Sequence, residues 1–473
     1  MSLWLSSTTL MRPSVPDWLE LLCQRLSDND ETLKTVEMTH QRIDDNCARA
    51  LAKALEENDV VNVLMMSCYN MVDDGAFYLG AVLSKHVSIK KLQLRDLRNS
   101  REATTFFMAL QKNRTIEELS LRHCVLCSQS AKFLKEFMAN NTVLRELRIV
   151  DTQMTGSTSL QSLCDGLGQI QSSKRLYLVN NDLDRHETQC LNRIASSQDL
   201  QEIYICENQI GDAGVLALCQ GLKDNQSVCK LDLRSNDIGV EGALALQELV
   251  KHTKSLKALY LANNDLGNVG TEALVSGLQD DGCVLERLDI SENNIDSTGA
   301  KAVAGMLMTN GSIQELNLAF NSIGDEGAAM IAGALVHNTT VTLLSLKRNS
   351  ISNQGALAFA TQLPKMRGLK ELIMTKNYID PCGAAKLLDG LKNNMDLEYL
   401  HVEEKVSQPI LKEIVHWIRL NKAGRRIFRG KNIPLTFWPF VLARINQDTD
   451  AIFHFLSEKP DVFQLPYEAK STR

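Results

Sequence analysis

A hydrophobic pattern that returns every 28 or 29 residues governs this chain. It reads L-x-x-L-x-L-x-x-N-x-[IL], and strong copies start at Leu200, Val228, Leu256, Leu285, Ile313, Val341 and Leu369. Glycines keep the same phase at Gly214, Gly242, Gly270, Gly299, Gly327, Gly355 and Gly383. In the copy "LDLRSNDIGVEGALALQELV", Leu231 and Leu233 alternate with polar residues, as in a strand with one buried face. Ala243, Leu246 and Val250 then fall three and four apart, which is one stripe of a helix. A short strand and a short helix cannot close a core alone, so each copy needs neighbours of its own kind.

Weaker copies start at Ser173, Leu144, Ile116, Ile89, Val61 and Leu33, and a last one at Leu397 carries Lys405 where asparagine is expected. That makes 14 repeats over residues 33–424, with a mean spacing of 28 residues. Such an array is one elongated domain that grows by addition, whatever its length. Residues 1–32 read as an N-terminal capping helix, with Pro16 at its start and Trp18, Leu19, Leu22 and Leu26 on one stripe. Residues 425–473 read as a basic linker and an aromatic, helical C-terminal cap. Trp438, Phe440 and Phe453 are expected to pack on the last repeat within a segment spanning 433–463. The competing reading is a separate binding peptide. The basic run Lys422, Arg425, Arg426, Arg429 and Lys431 reads as a solvated face.

The motif resembles leucine-rich repeats of the ribonuclease-inhibitor subtype over roughly 390 of 473 residues. The resemblance implies an α/β fold: a right-handed solenoid, or horseshoe, with a parallel concave sheet and convex helices. It also implies that the repeat asparagine satisfies backbone groups in the turn after the strand. Asn181, Asn208, Asn236, Asn264, Asn293, Asn321, Asn349 and Asn377 match. Unpaired backbone groups inside a solenoid are costly, which is why a polar residue belongs there. Tyr69, Leu97, Cys124 and Thr152 replace it in early repeats, where looser turns are expected. The pieces W-P-x-V-L-A-R and F-x-x-L-x-E-K-P (438–444 and 453–460) resemble tails that follow such repeats in algal, notably diatom, proteins.

A net charge of −6 argues against a general nucleic-acid or anionic-membrane binder. No apolar run approaches the length of a membrane span. The N-terminus lacks a basic region before a continuous apolar stretch, so no secretory signal is expected. The 12 cysteines sit mostly at single interior positions, as reduced hydrophobes of a cytoplasmic protein would. Cys124 and Cys127 form a lone C-x-x-C, read as structural because Cys124 holds the asparagine position. The N-x-[ST] sequons at Asn113, Asn140, Asn225, Asn310 and Asn338 share one phase of the repeat and read as helix-ending turns. No phosphate loop, nucleophile elbow, H-E-x-x-H or dinucleotide motif is present, and the nine histidines show no metal-ligand spacing. The reading is therefore no enzyme, no cofactor and no metal, in a chain that is a monomer.

These features point to a scaffold that binds a protein partner on the concave face, without nucleic acid or membrane. The position between the paired strand leucines carries Tyr177, Tyr204, Asp232 and Tyr260 in the middle repeats, and Arg234 follows closely. Tyrosine is favoured at binding hot spots. It is equally favoured in exposed strands for its β propensity, so both readings stand. The alternative function is GTPase activation, from the similarity of the repeat to the Ran GTPase-activating protein. That protein's acidic tail is missing here, and no matching arginine is placed by a motif.

Overall fold

The computed structural model describes residues 15–156, 158–168, 172–183, 188–279, 282–403, 406–422 and 424–425. Trp438, Phe440, Phe453, Arg426, Arg429, Lys431 and Lys405 lie outside them. The chain divides into two compact bodies, Met1–Asn236 and Asp237–Arg473.

In the N-terminal body, eight described strands pair in parallel and in chain order. They are Thr35–Met38, Val63–Ser67, Lys91–Arg95, Glu118–Arg122, Glu146–Val150, Arg175–Val179, Glu202–Tyr204 and Lys230–Asp232. The C-terminal body holds six in the same manner: Ala258–Tyr260, Arg287–Asp289, Glu315–Asn317, Leu343–Ser345, Glu371–Ile373 and Tyr399–His401. Helices separate successive strands, so each repeat is a strand, a turn and a helix, and each body is a leucine-rich-repeat solenoid.

The core is built from matching rows. Four residues after the in-phase glycine stand Leu218, Leu246, Leu274, Val303, Ile331, Phe359 and Leu387, all 0% exposed. Four residues further on, Leu222, Val250, Leu278, Leu307, Leu335, Leu363 and Leu391 are also buried. Each such side chain contributes about 2 kcal/mol by leaving water. The glycines sit in the first turn of their helices without being the first residue. A Cβ at Gly214 would lie 2.5 Å from the Ile210 side chain, so close approach requires glycine there.

The asparagine ladder forms. Asn181 Nδ2 donates to the Ile149 carbonyl at 2.8 Å, and its own N–H donates to Asn208 Oδ1 at 2.9 Å. In the C-terminal body, Asn293 and Asn349 reach Leu261 and Leu318 in the same way, both at 2.8 Å. In the last repeat Glu403 takes the role sought at Lys405, accepting the Asn377 N–H at 2.6 Å. The sequons mark a second ladder where helix meets strand. Asn113, Asn225, Asn310 and Asn338 are buried and donate to carbonyls of the preceding repeat. In the Asn140 sequon the buried rung is Asn141, which donates to the Ile116 carbonyl at 3.0 Å.

Two expectations for the early repeats need correction. Their turns are not looser: Asp96, His123 and Asp151 adopt the same left-handed φ of 50–59° as Asn180, Glu207 and Ser235. Where asparagine is absent, backbone pairing replaces it. Val125–Cys127 and Gln153–Thr155 form a second small parallel sheet directly after their strands, and Thr152 accepts the Cys124 N–H. Tyr69 is not a ladder residue. It is 57% exposed beneath Arg98, while Cys68 beside it is fully buried, because the interior slot admits a thiol but not a phenol ring. At the N-terminus, Leu19 and Leu26 of helix Asp17–Ser27 are buried, whereas Trp18 of the expected stripe is 37% exposed.

A feature absent from the sequence reading is an alternation of two turns. Gly211, Gly267 and Gly324 have positive φ three residues after the ladder asparagine. In the intervening repeats Asp182, Asp237, Asn294 and Ser350 have positive φ one residue after it. In the C-terminal body the two types cooperate. Asn268 and Asp325, which follow the glycines, accept backbone N–H groups at the start of the next helix, at Gly299 and Gly355. Those donors would otherwise lack partners within the helix.

Candidate functional site

Strand alternation turns every second residue onto the face of the sheet that the helices leave open. The register of the N-terminal body lines these residues up in rows. One row reads Gln93, Ser120, Arg148, Tyr177, Tyr204 and Asp232. Tyr177 and Tyr204 are adjacent in it, and their rings stack with centroids 4.3 Å apart and planes 10° from parallel. The Arg148 guanidinium lies 3.9 Å from the Tyr177 ring, and the Lys230 ammonium 4.9 Å from the Tyr204 ring. The result is a column of cation, two aromatics and cation, in which each contact stabilises by about 0.5–1.5 kcal/mol.

Acidic residues hold the column in place. Tyr204 donates its hydroxyl to Glu202 at 2.6 Å. Burial and this bond raise the Tyr204 pKa, so the phenol stays protonated. Arg148 binds buried Glu146, which also accepts from Arg175 at 2.6 Å. Burial alone would raise the Glu146 carboxyl; hydrogen bonds from Arg148 and Arg175 outweigh it and lower the pKa. A cleft of about 410 Å³ opens beside the column, lined by Arg122, Arg148, Val150, Tyr177 and Val179 among others.

Of the residues singled out by sequence, Tyr177, Tyr204, Asp232 and Arg234 come together on this body. Asp232 is only 1% exposed and binds Arg234 through both carboxylate oxygens, at 2.7–3.1 Å. It therefore positions Arg234, whose side chain remains 49% exposed. Tyr260 belongs to the C-terminal body, where it pairs in register with Asp289. Sequence reasoning missed Arg148, Lys230, Glu146 and Glu202. Glu146, Glu202 and Lys230 occupy the outward column two residues before the tyrosines, and Arg148 stands in the tyrosine column itself, one strand before Tyr177; reading both columns through every repeat finds them.

The C-x-x-C shows two unlike thiols. Burial pushes Cys124 up to about 12. Burial would raise Cys127 too, but hydrogen bonds from Thr104 and Ser130 outweigh it and bring that thiol down to about 7. Cys127 is half-exposed. Alkylation by iodoacetamide is expected at Cys127 well before Cys124, with a rate that climbs through pH 7 as the thiolate forms. Equal labelling of both, followed by peptide mass mapping, would contradict this. Among the described residues, no cluster of metal-ligating side chains occurs, and no helix is long and apolar enough to cross a membrane.

A repeated strand–turn–helix body with an open sheet face defines the class of α/β repeat solenoids. The family model for Leucine Rich repeat matches residues 196–219, 224–246, 252–275, 283–304, 309–332 and 337–360. Ribonuclease inhibitor of Sus scrofa is 31% identical over 302 residues, covering 63% of this chain and 60% of that protein. Ribonuclease inhibitor of Mus musculus is 33% identical over 119 residues, 25% of each chain. Protein phosphatase 1 regulatory subunit 37 homolog of Caenorhabditis elegans is 29% identical over 166 residues, covering 34% of this chain and 18% of that one. The chain thus spans between 18% and 60% of the length of these relatives. It is a leucine-rich-repeat protein with units of the ribonuclease-inhibitor-like subtype.

Proposed function

We propose that this chain is a non-catalytic scaffold that binds a protein partner on the open sheet face, the concave side of the solenoid in the sequence reading. Tyr177 and Tyr204 anchor the contact in the N-terminal body, with Arg234 oriented by Asp232 beside them. Tyr260 contributes from the sheet of the C-terminal body. The observation that carries this reading is the stacked tyrosine pair held between Arg148 and Lys230. Aromatic groups already fixed in place lose little side-chain entropy on binding, which favours them as anchors. The names of two relatives, an inhibitor and a phosphatase regulatory subunit, support a partner that is itself an enzyme. The 12 free cysteines support a reducing compartment such as the cytoplasm.

The test is the triple variant Tyr177→Ala, Tyr204→Ala, Tyr260→Ala, used as bait against extract of the native organism. None of the three is a core residue, so circular dichroism should be unchanged. Captured proteins should be lost, as expected when anchors worth about 2 kcal/mol each, roughly thirtyfold in affinity, are removed. Capture of every parental partner at equal strength would show that the face is not the site.

A further inference from the structure

Three rows of outward residues run across the open face of the N-terminal body, and they differ in charge balance. The first reads Lys91, Glu118, Glu146, Arg175, Glu202 and Lys230, three positive and three negative. It neutralises itself through pairs such as Lys91 with Glu118 at 2.9 Å and Arg175 with Glu146 at 2.6 Å. The tyrosine row holds Arg148 against Glu146 and locks Asp232 to Arg234. The third row is different: Ser67, Arg95, Arg122, Val150 and Val179.

Arg95 and Arg122 are direct neighbours in it, on strands about 4.8 Å apart. Like charges placed opposite each other destabilise a sheet. Among the described residues, no carboxylate lies within ion-pair distance of Arg95. The nearby Asp96 is taken by Arg98 at 2.7 Å and by the Ser67 hydroxyl at 3.2 Å. Among the described residues, the carboxylate nearest Arg122 within ion-pair distance is Asp151 at 3.9 Å, and it also accepts from Asn180 at 2.7 Å. The Nε of each arginine is buried with no acceptor. The Arg122 side chain is nevertheless 43% exposed and Arg95 is half-buried, so a carboxylate arriving from solvent meets guanidinium groups that no close carboxylate neutralises, and it fits their fork.

We infer that the open face of the N-terminal body takes an extended acidic segment of its protein partner, whose carboxylates pair with Arg95 and Arg122. This rests on the reading that the face binds a protein, and it names the chemistry recognised. Side chains on one side of an extended peptide recur about every 6.8 Å, within reach of arginines on adjacent strands. Val150 and Val179 continue the row as an apolar floor beside the Tyr177 edge. A nucleic acid fits poorly. Base stacking needs free ring faces, and those of Tyr177 and Tyr204 are covered by each other, Arg148 and Lys230.

The full chain is used to select binders from a random-sequence peptide display library. Recovered peptides are measured by fluorescence anisotropy at low and high salt. The comparison set is the parent, the double variant R95Q/R122Q, the double variant Y177A/Y204A, and a single-stranded DNA competitor. The peptides should be rich in Asp and Glu and should weaken as salt rises. R95Q/R122Q should weaken them at least tenfold while its thermal melt stays parental. Neutral or basic peptides, no peptides, indifference to R95Q/R122Q, or displacement by DNA at equal concentration would each overturn the inference. Neutral peptides that depend on Tyr177 and Tyr204 would sink the acidic segment and leave the binding face standing. Peptides indifferent to both double variants would sink both.

Discussion

Replacing Asn293 by alanine is expected to lower the unfolding free energy of the C-terminal body by about 3 kcal/mol. The Asn293 side chain is fully buried. Its Nδ2 donates to the Leu261 and Ser291 carbonyls, both at 2.8 Å, and its Oδ1 accepts the Leu266 N–H at 3.3 Å. Alanine removes all three bonds and leaves their backbone partners inside the solenoid. Each unsatisfied group costs about 1–3 kcal/mol, reduced where water enters the space. Asn293→Asp is the sharper control. It keeps the shape and the acceptor, loses the donor and buries a carboxylate, so its loss should be at least as large. Denaturant unfolding of the full chain measures the change. Native-state hydrogen exchange should place it in the flanking repeats, because repeats couple mainly to their neighbours. A loss under about 0.5 kcal/mol, the size of an ordinary surface substitution, would mean that the ladder is not needed.

Phe359→Ala should cost about 3–5 kcal/mol, while Phe359→Leu should cost about 1 kcal/mol. Phe359 is 0% exposed and stands in a row where the other repeats carry Leu218, Leu246, Leu274, Val303, Ile331 and Leu387. Alanine leaves a cavity between rigid repeats that cannot collapse fully. Leucine restores the residue that most neighbours already use, and only a small void remains. Unfolding midpoints of the two variants test the contrast. Equal losses would show that the phenyl ring makes a specific contact beyond filling space.

Much of the candidate site is legible in the strand alternation alone. Tyr177 and Tyr204 were placed on one face by the alternation of the strands, and the stacking of their rings follows from register. Of the charged residues that hold them, Glu146, Glu202 and Lys230 stand in the neighbouring outward column, whereas Arg148 stands in the tyrosine column one strand earlier. The turn alternation was also present in the letters, as glycine in "NDLGN" and "NSIGD" against "NNIDS" and "NSISN". It escaped because a search for one motif averages over two.

The sequence by itself determined the repeat. Its period sets where strand, turn and helix begin, and the buried rows follow, since a residue's place in a solenoid depends on phase alone. It could not decide what neighbouring repeats do for one another. Asp232 reads as an exposed strand residue, yet it is buried because Arg234 folds back over it. Cys68 goes inside and Tyr69 outside because the slot between repeats has a fixed size. The lost asparagines at Cys124 and Thr152 are compensated by a small sheet whose two strands lie 28 residues apart in the chain. The unbalanced Arg95 and Arg122 emerge only once every nearby carboxylate has been matched to its partner in space. Hydrogen bonding, volume and charge pairing between residues a full repeat apart are tertiary quantities, and only the folded register supplies them.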